Sequence, residues 1–239
     1  MPFHPLFITA TGTGCGKTWV TRALARALFK QGKRVIALKP IETGVDPDPQ
    51  DAIALSRVCG LPEALRCSGF LRWRLPLSPM AACEEEGLPF PSIEALAQAI
   101  DGATRGHEFA LVEGAGGILV PIDPTNTIAE LIACLKWPLV IVARDALGTL
   151  SHTLTAHESA ERRGLSIRAI VLVQGPWSQG DPSTRLNASI LERRLPVPVL
   201  RFPFCSDDDD ALAQAGEPLI PWLFPESVRT GLAPKDQPA

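Results

Sequence analysis

Phe7-Ile8-Thr9-Ala10-Thr11-Gly12-Thr13-Gly14-Cys15-Gly16-Lys17-Thr18 runs from an apolar strand into a loop of small residues, and Val20, Leu24 and Leu28 follow at helical spacing. Glycines at 12, 14 and 16 let backbone N–H groups turn inward on a polyphosphate. Lys17 brings a point charge to the terminal phosphate oxygens, and the Thr18 hydroxyl can hold a magnesium ion at the helix N-terminus. The stretch reads as a phosphate-binding loop, with Gly14, Cys15, Gly16, Lys17, Thr18 and Trp19 as nucleotide-binding residues. The ordinary spacing fails by one position, because Thr11 stands where its first glycine belongs, so the loop is a longer variant.

Outward from the loop, strands alternate with helices. Leu6–Thr9, Arg34–Pro40, Phe109–Val112, Pro138–Ala143, Ile167–Val173 and Val197–Phe202 read as strands, most of them near-continuous apolar runs suited to burial on both faces of a parallel sheet. Between them, Lys17–Gln31, Ala52–Cys59, Ile93–Ile100 after Ser92, Thr127–Leu135 with a Thr127/Glu130 capping box, Leu150–Arg163 and a segment opening at Asp181-Pro182 read as helices. The pattern predicts a doubly wound α/β fold, with ligands at the carboxyl ends of its strands. Residues 1–227 read as a single domain, and the tail from Val228 reads as frayed.

That topology asks for chemistry just past the strands. Lys39, at the end of an apolar run, is placed to bridge a transferring phosphoryl group and an anionic acceptor, and Thr43 follows it. Asp51 opens a helix as an N-cap or a magnesium ligand, with Asp46 and Asp48 as rivals on position alone. Glu113 leaves a buried strand ahead of Gly114, Ala115 and Gly116, which suits a second magnesium carboxylate beside phosphates approaching the backbone.

A formal charge of −3 over 239 residues gives no reason to expect nucleic acid as a partner. No apolar stretch reaches the length of a membrane span, so a cytoplasmic protein is expected. The six cysteines lack a C-x-x-C pair, which argues against zinc and against a disulfide framework. Cys15 reads as a small side chain filling a loop position, and Asp207–Asp210 as a solvated helix start.

Taken together, the loop, Lys39-Pro-Ile-Glu-Thr-Gly44, Asp51–Leu55, Pro76–Ala82, Glu113–Gly117 and Leu147–Thr155 resemble, in order and spacing, the motifs of the dethiobiotin synthetases. The resemblance implies an ATP- and magnesium-dependent enzyme that carboxylates 7,8-diaminononanoate with CO2 and closes a cyclic urea. It implies catalysis by Lys17 and Lys39, magnesium on Thr18, Asp51 and Glu113, and substrate contacts from Thr13, Thr43, Gly148 and Ser151. It further implies nucleotide contacts from Gln174, which stands where an adenine-reading asparagine is expected, and from Pro203, Phe204 and Cys205. Trp73, Leu77 and Ile118 would suit the aliphatic chain, and a homodimer is implied in which the Leu147–Leu154 segment serves the neighbouring subunit. The alternative is a divergent nucleotide-binding protein of the same fold, acting on another substrate or as an ATP-driven switch.

Overall fold

Alternation within each strand sends successive side chains to opposite faces, and here both faces are apolar. In β1 (His4–Ala10), Leu6, Ile8 and Ala10 enter one core, while Phe7 enters another on the far side of the sheet. The computed structural model describes residues 2–225; the tail expected from Val228 onward lies outside the described residues.

The remaining strands are β2 (Val35–Leu38), β3 (Ile41–Thr43), β4 (Leu71–Trp73), β5 (Phe109–Glu113), β6 (Leu139–Arg144), β7 (Ile167–Val173) and β8 (Val199–Phe202). Among the described residues, six of them form a parallel sheet in the order β2-β5-β1-β6-β7-β8, and β3 pairs with β4 in a small parallel sheet of its own. The helices are α1 (Lys17–Lys30), α2 (Gln50–Cys59), α3 (Pro79–Glu86), α4 (Ile93–Thr104), α5 (Ile128–Leu135), α6 (Thr149–Arg162), α7 (Asn187–Arg194), α8 (Asp209–Gly216) and α9 (Ile220–Leu223). Side chains of α1, α2, α8 and α9 cover one face of the large sheet; those of α4, α5, α6 and α7 cover the other. The chain leaves β1 for β2, returns to insert β5 between them, then crosses to β6 on the other side of β1. The sheet therefore switches direction beside β1, where an open α/β fold gathers its ligands.

The six long strands lie where the apolar runs place them, with one correction. The run Arg34–Pro40 stops pairing at Leu38, and Ile41–Thr43 starts a separate strand. Strands β3 and β4 have no counterpart in the sequence pattern, since three residues carry too little alternation to register. Helix α3 lies outside the expected helices, although Ser78 caps it and Pro79 opens it, a start signal present in the sequence. At Asp181-Pro182 the cap forms but leads only into a 3₁₀ turn, Pro182–Arg185, and α7 begins at Asn187.

Candidate functional site

Strand register builds the centre of the site. Leu38 pairs with Val112 and Ile8 with Glu113, so Lys39, one step past β2, stands level with Glu113, one strand away from the phosphate loop. Lys39 Nζ lies 2.6 Å from Glu113 Oε1, 2.9 Å from Asp51 Oδ2 and 3.2 Å from the Gly114 carbonyl. The Thr18 hydroxyl, in the first turn of α1, lies 2.9 Å from Glu113 Oε1 and 3.2 Å from Asp51 Oδ1. Of the three aspartates weighed in sequence, Asp51 is the one brought to the centre; Asp46 and Asp48 stay exposed outside it.

Opposed effects set the charges. Burial works against the ammonium of Lys39, yet Glu113 and Asp51 outweigh it and hold the pKa above the ordinary lysine value. Burial pushes the Asp51 carboxyl up, but Lys39 and the Thr18 hydroxyl outweigh it and hold that group below the usual carboxylate range. Lys17 is depressed, first by burial and then by the charge of Lys39. Its Nζ folds back to within 3.5 Å of the Gly12 carbonyl.

The donor set fits magnesium. Glu113 is fully buried, and its Oε2 has no hydrogen-bond partner, a costly state for a carboxylate oxygen unless a cation meets it. Two carboxylates and a hydroxyl are hard oxygen donors. Among the described residues no group of three or more His, Cys, Asp and Glu side chains could hold a metal by itself. Magnesium bound at phosphates keeps several water and phosphate ligands and needs no such cage.

A cleft of about 930 Å³ opens over this centre, and Thr13, Gly14, Gly16, Lys17, Thr18 and Trp19 line its phosphate-loop side. Gly16 sits at φ 93°, and a Cβ there would lie 2.8 Å from a Val173 methyl carbon, so the loop needs glycine at this point. Lys39, Thr43, Asp51, Glu113, Ala115 and Gly116 line the cleft too, while Gly114 offers its carbonyl to Lys39 behind it. Cys15 buries its side chain under the loop, with Sγ 3.4 Å from the Thr11 hydroxyl and 3.9 Å from the Thr13 carbonyl, and does not line the cleft.

Other expected contacts lie outside the cleft lining. Gln174 and Pro203 follow β7 and β8, where the Gln174 N–H donates to the Phe202 carbonyl at 2.9 Å; Phe204 is exposed, and Cys205 packs partly on the α1 core. Gly148 and Ser151 sit at the exposed start of α6. A second cavity of about 390 Å³ runs between Thr13 of the loop and His152, Thr155 and Ala156 of α6. Trp73 is a core residue rather than a cleft wall, Ile118 is buried but lines the second cavity, and Leu77 lines the main cleft.

Trp177 and Glu42 are among the cleft residues that carry no role in the sequence reading. Trp177 lines the cleft with its ring beneath the Arg144 guanidinium, 4.9 Å from the ring centroid, and Arg144 Nε donates to the Gly14 carbonyl at 3.0 Å. Glu42 lies inside the quoted Lys39–Gly44 motif, yet its part depends on a strand too short to foresee. From β3 it accepts the backbone N–H groups of Asp51 and Ala52 at 2.8 and 3.1 Å.

The AAA domain family matches residues 4–202. The ATP-dependent dethiobiotin synthetase BioD of Aquifex aeolicus is 36% identical over 228 residues, 95% of each chain. That of Anaeromyxobacter dehalogenans is 41% identical over 190 residues, 79% of this chain and 84% of its own. In structure, the septum site-determining protein MinD of Pyrococcus horikoshii, complexed with Mg-ADP, aligns with a TM-score of 0.56 at 15% identity, covering 96% of this chain and 97% of its own. Cobyrinic acid a,c-diamide synthase of Mycobacterium smegmatis, with bound ADP and magnesium, aligns with a TM-score of 0.52 at 14% identity over 99% of this chain and all of its own. Those two likenesses speak for the fold, whereas the sequence relatives extend across almost the whole length and decide the family: the chain belongs to the ATP-dependent dethiobiotin synthetases.

Proposed function

We propose that this protein uses ATP and magnesium to carboxylate 7,8-diaminononanoate with CO2 and close the cyclic urea of dethiobiotin. The observation that carries the reading is the cluster of Lys39, Glu113, Asp51 and Thr18 facing the phosphate loop, with Glu113 Oε2 buried and unpartnered. One amine of the substrate adds to CO2 and loses a proton, giving a carbamate. The carbamate oxygen attacks the γ-phosphorus and ADP leaves; the second amine then attacks the carbonyl carbon and phosphate leaves.

Both negative reactants must approach each other, so catalysis is a matter of placing positive charge. Lys17, from the loop, serves the β- and γ-phosphate oxygens, and Lys39 serves the oxygens between γ-phosphate and carbamate. Glu113 and Asp51 keep Lys39 protonated, so that its charge is ready when the carbamate forms. Thr18, Asp51 and Glu113 are the residues that would hold magnesium, which when bound screens the phosphate charge. Thr43 and Thr13 offer hydroxyls to the carbamate side, and backbone N–H groups at the start of α6, near Gly148 and Ser151, suit the substrate carboxylate. That last contact calls for a homodimer in which one subunit's Leu147–Leu154 segment reaches the other's cleft. Gln174 and the Pro203–Cys205 segment remain the candidates for the base side. Among the described residues no helix is long and apolar enough to cross a membrane.

The test is nucleoside diphosphate release by the purified protein with Mg²⁺, bicarbonate and ATP, with and without 7,8-diaminononanoate, with the product read by mass spectrometry. Diamine-dependent release with a product of cyclic-urea mass is expected. Release indifferent to the diamine would sink the reading.

A further inference from the structure

Helix α2 starts without a cap of its own. Its N-cap is Pro49, which has no side-chain acceptor, so the N–H groups of Asp51 and Ala52 in its first turn need a partner from elsewhere. Glu42 supplies it from another element, with Oε1 accepting from Asp51 N at 2.8 Å and Oε2 accepting from Ala52 N at 3.1 Å. A carboxylate there also meets the positive end of the helix dipole. Glu42 is itself fixed. It is the central residue of three-residue β3, opposite Arg72 of β4, and is 6% exposed. Backbone bonds beyond the strands, from Gly44 N to the Leu75 carbonyl and from Val45 N to the Trp73 carbonyl, extend that support.

The consequence falls on the residue whose N–H is held. Asp51 reaches Thr18 and Lys39 only if the first turn of α2 sits where it does, and that turn is clamped at both amides by one rigid side chain. We infer that Glu42 is a positioning residue for the magnesium site: its carboxylate holds the α2 N-terminus and so places the Asp51 carboxylate beside Thr18 and Glu113. The inference rests on the proposed role of Asp51 as a magnesium ligand but not on the identity of the diamine.

The probe is Mn²⁺ with ADP and no diamine, its affinity read by electron paramagnetic resonance, so the result stands whether or not dethiobiotin is formed. Loss of a residue that orients a metal ligand costs about tenfold or more in metal affinity, and Glu42→Ala is expected to weaken Mn²⁺ by that factor. Glu42→Gln keeps one of the two acceptors and is expected to lose less, with faster amide hydrogen exchange at Asp51 or Ala52. In an Asp51→Ala background, Glu42→Ala is expected to weaken Mn²⁺ no further. Should Glu42→Ala fail to fold, the Gln variant alone decides: wild-type Mn²⁺ affinity in it, despite faster exchange, overturns the inference. So does a full extra loss in the Asp51→Ala background, or a lowered melting temperature with Mn²⁺ affinity unchanged.

Discussion

Lys39 and Glu113 form a buried pair, and the cost of breaking it is unequal to its worth. Truncating Lys39 leaves a carboxylate with 0% side-chain exposure without its paired cation and with only the more distant charge of Lys17, which costs about 3–5 kcal/mol in such settings. Lys39→Ala is therefore expected to lower the melting temperature of the free protein by several degrees. Mg-ADP should recover much of that loss, because a cation then meets Glu113. Nucleotide affinity should stay within a few-fold of wild type while product formation falls about 100-fold or more. Differential scanning fluorimetry with and without Mg-ADP, alongside the mass-spectrometric assay, checks both halves. Loss of nucleotide binding together with product would show that Lys39 serves the nucleotide rather than the transfer.

At the scale of elements, α5 carries its own start signal. The Thr127 hydroxyl accepts from Ala129 N at 3.2 Å, and Glu130 Oε2 accepts from Thr127 N at 2.8 Å. Thr127→Ala should cost about 1 kcal/mol, seen as a lower urea midpoint at unchanged slope. Burial pushes the Glu130 carboxyl up, but Thr127 and Arg163 outweigh it and hold it below the usual range. A depressed folded pKa means that this stabilisation is complete above the ordinary glutamate value, about 4.3, and is lost as pH falls through the lower folded value. The difference in stability between wild type and Glu130→Gln should accordingly be level near neutrality and shrink in acid. Helices α1 and α8 give a contrasting case. Arg22, Arg26 and Lys30, one turn apart on α1, pair with Asp207, Asp209 and Asp210, so the acidic run is an ionic ladder as well as a helix start capped by Asp208. Each aspartate is mostly exposed, so a single Asp→Asn change should cost under about 1 kcal/mol and vanish in high salt. What fixes the crossing is Gly216, where a Cβ would come within 2.2 Å of the Ala23 carbonyl oxygen. Gly216→Ala should cost about 1–3 kcal/mol in urea unfolding, because backbone rather than a movable side chain must give way.

For the whole molecule, the site is a meeting of the carboxyl ends of β1, β2 and β5 with the first turn of α2, so it exists only when the sheet is assembled. A ligand bound there stabilises the entire fold by mass action, about 2.7 kcal/mol at a hundred times its dissociation constant. Mg-ADP should raise the melting temperature in step with its concentration, and EDTA should remove most of that gain. An EDTA-insensitive shift would mean that the nucleotide binds without the cation on Thr18, Asp51 and Glu113.

Much of this is legible in the amino-acid sequence. The phosphate loop is a local device whose glycines, lysine and threonine act within a few residues of one another, and the six long strands announce themselves by apolar runs that only a doubly covered parallel sheet accommodates. Lys39 and Glu113 stand out because polar residues at the ends of such strands are expected at one edge, and Asp51 because it opens a helix just beyond them. Position alone leaves Asp46 and Asp48 as rivals of Asp51, and only the family resemblance singles Asp51 out; the mutual distances come from register and from the placement of α2, which no local pattern encodes. Glu42 was hidden for the same reason. Its partners lie nine and ten residues away across a three-residue strand and a proline-capped helix, so its role arises only when tertiary packing brings a strand side chain to the open end of a helix.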